Sequence, residues 1–109
     1  AALGLQELDP VLMYIAEHFT EIASRTEVAE HLGLAGDTVC RHVRRATGMR
    51  FHEYLAKLRV KEADRLLATT RMTCHEVAAV VGFRSYQAFA AQFRAATGRP
   101  PAASRSRAN

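Results

Sequence analysis

Three arginines, Arg41, Arg44 and Arg45, recur three and four residues apart within the segment 37–47. On a helix that spacing gathers them on one face with Asp37, Thr38 and Cys40, away from Val39 and Val43. A guanidinium is a planar fork of donors that fits the O6 and N7 of a guanine or the oxygens of a phosphate. Arg41, nearer the helix start, is placed for a base edge, with Thr38 and Cys40 as small contacts. Arg44 and Arg45 lie farther along and suit the phosphate backbone. A second segment offers Arg84, Tyr86, Gln87, Ala90 and Ala91, with Arg94 behind them. The Gln87 amide matches the N6 and N7 of adenine. Both faces therefore point to double-stranded DNA, the second with less charge.

Other chemistries find no partners along the chain. His18, His31, His42, His52 and His75 are scattered without paired ligand spacing, and the adjacency of Cys74 and His75 is not a ligand set by itself. Cys40 and Cys74 have no identifiable base or oxyanion partner, although Cys74 falls in a first helical turn, where thiol pKa values drop. Glycine-rich phosphate cradles and paired catalytic carboxylates are missing. The expectation is no metal, no cofactor and no enzyme. Phe83, Phe89 and Phe93 are expected in the core, and Arg99, Arg105 and Arg107 in solvent.

The elements that must carry these faces are read from caps and periodicity. Asp9-Pro10 starts a helix whose Val11, Leu12, Ile15, Ala16 and Phe19 share a stripe. Ser24 to Glu27 has capping-box spacing and opens a short helix to Leu32, stopped by Gly33. Asp37 to Thr47 is the next helix, ended by Gly48. Phe51 to Thr69 is a long amphipathic helix with Phe51, Tyr54, Leu55, Leu58, Ala63, Leu66 and Leu67 inward. A second capping box, Thr73 to Glu76, opens a helix to Val81 before Gly82, and Tyr86 to Thr97 precedes Gly98. The tail from Ala103 is expected to fray. No alternation argues for strands, so the class is all-α, with about seven helices.

An internal repeat organises these helices. Val28-Ala29-Glu30-His31-Leu32-Gly33 matches Val77-Ala78-Ala79-Val80-Val81-Gly82 at an offset of 49. Val43-Arg44-Arg45-Ala46-Thr47-Gly48 matches Phe93-Arg94-Ala95-Ala96-Thr97-Gly98 at an offset of 50, so the second copy has one extra residue in its turn. Each copy reads as a helix-turn-helix. Ala29 or Ala78 lets the helices approach, Gly33 or Gly82 makes the turn, and Val39 and Val43, or Phe89 and Phe93, pin the second helix. The expected arrangement is a first unit over 10–48, a linker helix over 50–69 and a second unit over 73–105. A linker of about 19 residues would be roughly 28 Å long, against roughly 34 Å between major-groove faces on one side of a duplex.

Composition sets the remaining bounds. The chain has 109 residues, a net charge of +4 and 49% hydrophobic residues, enough for one modest core. Residues 1–33 hold six Asp or Glu against Arg25 alone, whereas 34–109 hold fourteen Lys or Arg against five acids. Such asymmetry fits a basic face for a polyanion and an acidic face turned toward a sensor domain or RNA polymerase. No stretch approaches a membrane span or a secretory signal, and two unpaired-looking cysteines fit a reduced, cytoplasmic setting. The start at Ala1 without a Met reads as an excised fragment.

These residues resemble the AraC/XylS-type transcription regulators of bacteria from about Val11 to Arg105. The likeness rests on Arg41 and Gly48 in the first unit, and on Phe51, Tyr54, Leu55, Arg59, Ala63, Leu66 and Leu67 in the linker. Its most specific part is Val77-Ala78 through Gly82-Phe83, then Phe89, Phe93, Arg94, Gly98, Pro101 and Arg105. The resemblance implies promoter DNA bound by two major-groove helices, within a larger regulator that has an N-terminal sensor domain. Three positions depart from the family's pattern: Ala35 in place of a capping Ser, Ala91 in place of an Arg, and Ser104 in place of an aromatic. The first unit is therefore expected to dominate sequence selectivity. The alternative reading is a helical protein-interaction module, which would not bind duplex DNA.

Overall fold

The computed structural model describes residues 9–108, with side chains through Ser104. Among the described residues it has seven helices and no strand: α1 (Pro10–His18), α2 (Arg25–Leu32), α3 (Gly36–Thr47), α4 (Phe51–Thr69), α5 (Cys74–Val80), α6 (Tyr86–Thr97) and α7 (Pro101–Ala108). The all-α class expected from the periodicity is what the chain adopts. The helices fall into two compact units, the first ending at Leu55 and the second beginning at Ala56.

In the first unit the Asp9 carboxylate accepts from the Val11 N–H at 2.9 Å, and Pro10 occupies a position that has no N–H to satisfy. Val11, Leu12 and Ile15 turn inward, joined by Ile22 beyond the helix. Ala16, expected on that stripe, is exposed at its edge, and Phe19 is half-buried. Helix α2 is capped by Ser24, whose Oγ accepts from the Glu27 N–H at 3.4 Å. The expected capping box closes one residue early: Glu27 accepts from the Ala23 N–H rather than from Ser24. In the second unit the box is complete. Thr73 accepts from the Glu76 N–H at 3.1 Å, and Glu76 accepts from the Thr73 N–H at 3.0 Å.

The turns repeat closely. Gly33 has φ +69° and Gly82 has φ +103°, left-handed values that a Cβ makes costly. The Leu34 N–H reaches back to the Ala29 carbonyl at 2.8 Å, and the Phe83 N–H to the Ala78 carbonyl at 3.0 Å. Leu34 thus corresponds to Phe83 at an offset of 49, while the N-caps Ala35 and Ser85 correspond at 50. The extra residue of the second turn is therefore Arg84.

Beneath each turn a small side chain lets the second helix sit close. Ala29 lies under the first unit with Val39 and Val43 fully buried, and Ala78 lies under the second with Phe89 and Phe93 fully buried. The second core gathers Val60, Ala63, Leu67, Val77 and Val81 around these two phenylalanines, whose ring centroids are 5.6 Å apart. Burying each large apolar side chain contributes about 1.5–3 kcal/mol. Helix α4 has the expected limits. It buries Phe51, Leu55, Ala63 and Leu67, adds Val60, which the periodicity had not singled out, and leaves Tyr54, Leu58 and Leu66 half-buried.

The tail departs from the sequence reading: residues from Ala103 continue helix α7 as far as Ala108. Pro101 is compatible with a helix's first turn and is buried, and alanine-rich chain propagates a helix well. Ser104 is fully buried and accepts from Arg99 Nε at 3.2 Å. Arg99, expected in solvent, also reaches Asp64 at 3.4 Å, which ties the segment before α7 to α4. The side chains of Arg105 and Arg107 lie outside the described residues.

Phe93→Ala should lower the unfolding free energy by about 3–5 kcal/mol in urea denaturation, because the emptied site is enclosed. Ala35 has extended N-cap geometry and no capping side chain, whereas its counterpart Ser85 accepts from the Ala88 N–H at 3.1 Å. Ala35→Ser should therefore raise stability by about 1 kcal/mol in the same measurement.

Candidate nucleic-acid interface

With Val39 and Val43 buried, the opposite side of α3 faces outward. Asp37, Arg41, Arg44 and Arg45 are all exposed there, while Thr38 and Cys40 are half-buried at its flanks. Arg41 Nη2 lies 3.4 Å from Thr38 Oγ1, a long contact that leaves the guanidinium free to turn outward. Asp37 sits in the first turn, where a carboxylate favours the helix dipole and partly offsets the missing cap at Ala35. Behind the face, His42 Nδ1 lies 3.0 Å from Asp9 Oδ2, so the carboxylate that caps α1 also anchors α3.

One cation of this face escaped the sequence reading. Arg25, the single base of the acidic N-terminal third, projects from the first position of α2 across the start of α3. Its Nη1 lies 3.3 Å from Cys40 Sγ and 3.8 Å from Asp37 Oδ1. The hydrogen bond to Cys40, and after it the electrostatic pull of Cys40 and Asp37, raises the Arg25 pKa above its ordinary value. The Arg25 side chain runs past Gly36, where a Cβ would be in ordinary contact with Nε at 3.6 Å. The helical offset that would have revealed this contact links two different helices, and no local pattern reports it.

The second unit fills the same place differently. Cys74 stands where Arg25 stands, and Tyr86 where Gly36 stands. Tyr86 packs against the second core and stacks on His75, with centroids 4.0 Å apart and planes 12° apart. Burial, and after it the charge and hydrogen bond of Cys74, raises the Tyr86 pKa. Tyr86 is thus half-buried, as is Ala90, whereas Arg84, Gln87, Ala91 and Arg94 are exposed. At the offset of 50, Arg41, Arg44 and Arg45 become Ala91, Arg94 and Ala95. The outward side of α6 is mostly alanine and glutamine, with Gln92 a further exposed amide not singled out from sequence. Arg59, which the family resemblance had marked, lies 5.9 Å from the Phe83 ring centroid, and burial lowers its pKa.

Comparison with known proteins agrees with this geometry. A family model described as a helix-turn-helix domain matches residues 28–107. The transcriptional activator AarP of Providencia stuartii is 31% identical over 94 residues, covering 86% of this chain and 70% of AarP. RhaS of Salmonella schwarzengrund, also a transcriptional activator, is 31% identical over 88 residues, 81% of this chain but 32% of RhaS. Among solved structures, the DNA-binding domain of the transcription factor AdpA in complex with a target DNA superposes with a TM-score of 0.82 at 34% identity, covering 89% of this chain and 87% of that one. An AraC-type regulator from Chromobacterium violaceum shares the fold, with a TM-score of 0.85 at 20% identity over 99% of this chain and 96% of that one. The chain belongs to the AraC-type helix-turn-helix family of transcription regulators. None of its described helices is long and apolar enough to cross a membrane.

Ala91 is the exposed counterpart of Arg41, so Ala91→Arg should tighten duplex binding and steepen its salt dependence. The log–log slope measured by fluorescence anisotropy should grow by up to about 0.9 if the new guanidinium meets a phosphate.

Proposed function

We propose that this chain binds specific sequences in double-stranded DNA, with the outward face of α3 as its principal reader and α6 as a weaker second one. The observation that carries the reading is the exposed trio Arg41, Arg44 and Arg45 on a helix whose other side is fixed by Val39 and Val43. The 34%-identical AdpA domain, solved with its target DNA, supports it. Arg41 reads a guanine edge, Arg44 and Arg45 hold phosphates, and Gln87 reads adenine from the second unit. Arg84, in the longer turn, and Arg94 add backbone contacts there. A tandem reader of this kind addresses two successive major-groove segments of one duplex.

Within the whole regulator, the acidic surface of Glu17 and Glu21 faces a sensor domain or RNA polymerase, and the protein works in the cytoplasm of a bacterium. The chain requires no cofactor and performs no catalysis in this reading. Charge reversal at Glu17 and Glu21 should disturb activation while leaving duplex affinity nearly unchanged.

Arg41→Ala should relax base preference at one position of the site by about 1–3 kcal/mol, and Gln87→Ala should cost less. Arg44→Ala and Arg45→Ala should weaken all sequences alike. Selection of bound fragments from a random duplex library, followed by competition with single-base variants, measures both effects. A larger loss of selectivity from Gln87→Ala than from Arg41→Ala would overturn the ranking of the two units.

A further inference from the structure

Beside the reading face, the first unit contains a groove of about 780 Å³ between the start of α2, one flank of α3 and the start of α4. Three arginines from three different elements line it, Arg25, Arg44 and Arg50, together with His52 and one carboxylate, Glu53. Cys40 and Phe51 are the apolar part of its lining, and Phe51, the first residue of α4, is itself buried. Internal pairing leaves this positive charge largely available. Arg25 meets Asp37 at 3.8 Å and Arg50 meets Glu53 at 4.0 Å, both across solvent-exposed carboxylates. Such exposed pairs contribute little to stability and exchange readily for a better anion. No ion pair among the described residues engages Arg44.

The duplicated unit supplies an internal comparison. The turns that lead into α4 and α7 are built alike: Gly48 and Gly98 have φ +76° and +77°, and each N–H returns to the arginine carbonyl four residues back at 2.8 Å. Thr47 and Thr97 cap their helices in the same way, at 2.7 and 2.8 Å from the Val43 and Phe93 carbonyls. The offset of 50 therefore carries past the turn, so that Arg50 and His52 correspond to Pro100 and Ala102. Of the three arginines only Arg44 keeps its charge in the copy, as Arg94, because Cys74 replaces Arg25. One unit has gathered cations around this groove and its duplicate has not.

We infer that the groove formed by Arg25, Arg44 and Arg50 clamps a backbone phosphate of the duplex beside the bases that α3 reads. This rests on the proposed DNA-binding function and adds a site outside the reading helix. Arg25 and Arg50 come from α2 and from the turn before α4, so the three arginines reach the groove from three separate elements. A phosphodiester in the groove can accept from more than one guanidinium, and its binding releases counterions from the duplex. Asp37 and Glu53, by contrast, each meet a single arginine, at 3.8 and 4.0 Å. The clamp fixes register without sequence information, and it makes the first unit the main electrostatic anchor.

The test measures affinity for the selected duplex and for a scrambled duplex across a salt series, in the wild type, Arg25→Gln, Arg50→Gln and Arg65→Gln. Arg65 is held bidentately by Glu62 and is the control. Arg50 has an 80% exposed side chain, so its variant keeps the fold intact even if Arg25→Gln loosens α2. Arg25→Gln and Arg50→Gln should each weaken both duplexes by the same factor, roughly tenfold at low salt. Each should also make the salt slope shallower by about 0.9. Arg65→Gln should match the wild type. Wild-type slopes and affinities in both groove variants would overturn the clamp while leaving the DNA-binding reading intact, as would a loss confined to the selected duplex. A wild type that binds neither duplex would remove that reading and the clamp with it. Inorganic phosphate is titrated separately: saturation of the groove by phosphate alone, with DNA binding unaffected by either variant, would assign it to a free anion instead.

Discussion

Each unit depends on the burial of two residues spaced one helical turn apart on its second helix, against an alanine on the first. Val39 and Val43 over Ala29, and Phe89 and Phe93 over Ala78, fix which side of α3 and α6 faces out. A helix of twelve residues has little stability alone, and its rotation about its own axis would be undefined without that seam. Once the inner side is fixed, the outer one follows from helical geometry. The positions of Arg41, Arg44 and Arg45 are therefore set by two valines that touch no ligand. The alanine matters as much as the valines, since a larger side chain would hold the helices apart and loosen the seam.

The chain holds two copies of this device, and they differ in core, caps and exterior. The first has a pair of valines at its seam, no side-chain cap on α3 and a cationic exterior. The second has a phenylalanine core, a complete capping box and a capped reading helix, but an exterior of alanine and glutamine. The exchange at one corner shows how far this went: Arg25 over Gly36 in one unit is Cys74 beside Tyr86 in the other. The same space holds a solvent-facing charge in the first copy and a ring that joins the core in the second. Local order and surface charge thus run in opposite directions between the two copies.

Much of this was readable before any coordinates. Caps, glycines and apolar spacing located α1 to α6 closely, because those signals act within one helical turn. The repeat located the two turns and paired α3 with α6, and Gly33 and Gly82 both take positive φ there. What escaped were contacts between distant segments. Arg25 counted as an isolated cation in an acidic stretch, and only the packing of α2 on α3 brings it to Cys40. Arg50 was one more surface charge until the turn after Gly48 placed it by Arg44. The tail was judged by its composition, whereas Arg99, Ser104 and Asp64 make it part of the second unit. Val60 stands between the charged Arg59 and Lys61, and only the packing of α4 shows it to be buried.

The central claim is that α3, oriented by its valine seam, meets the duplex. It is tested most directly by recording backbone amide shifts of the labelled chain while a selected duplex is added. The largest changes should cluster at Asp37, Thr38, Arg41, Arg44 and Arg45, with smaller ones at Gln87 and almost none at Met13 or Glu17 on α1. Changes centred on α1, with the α3 amides unmoved, would contradict it.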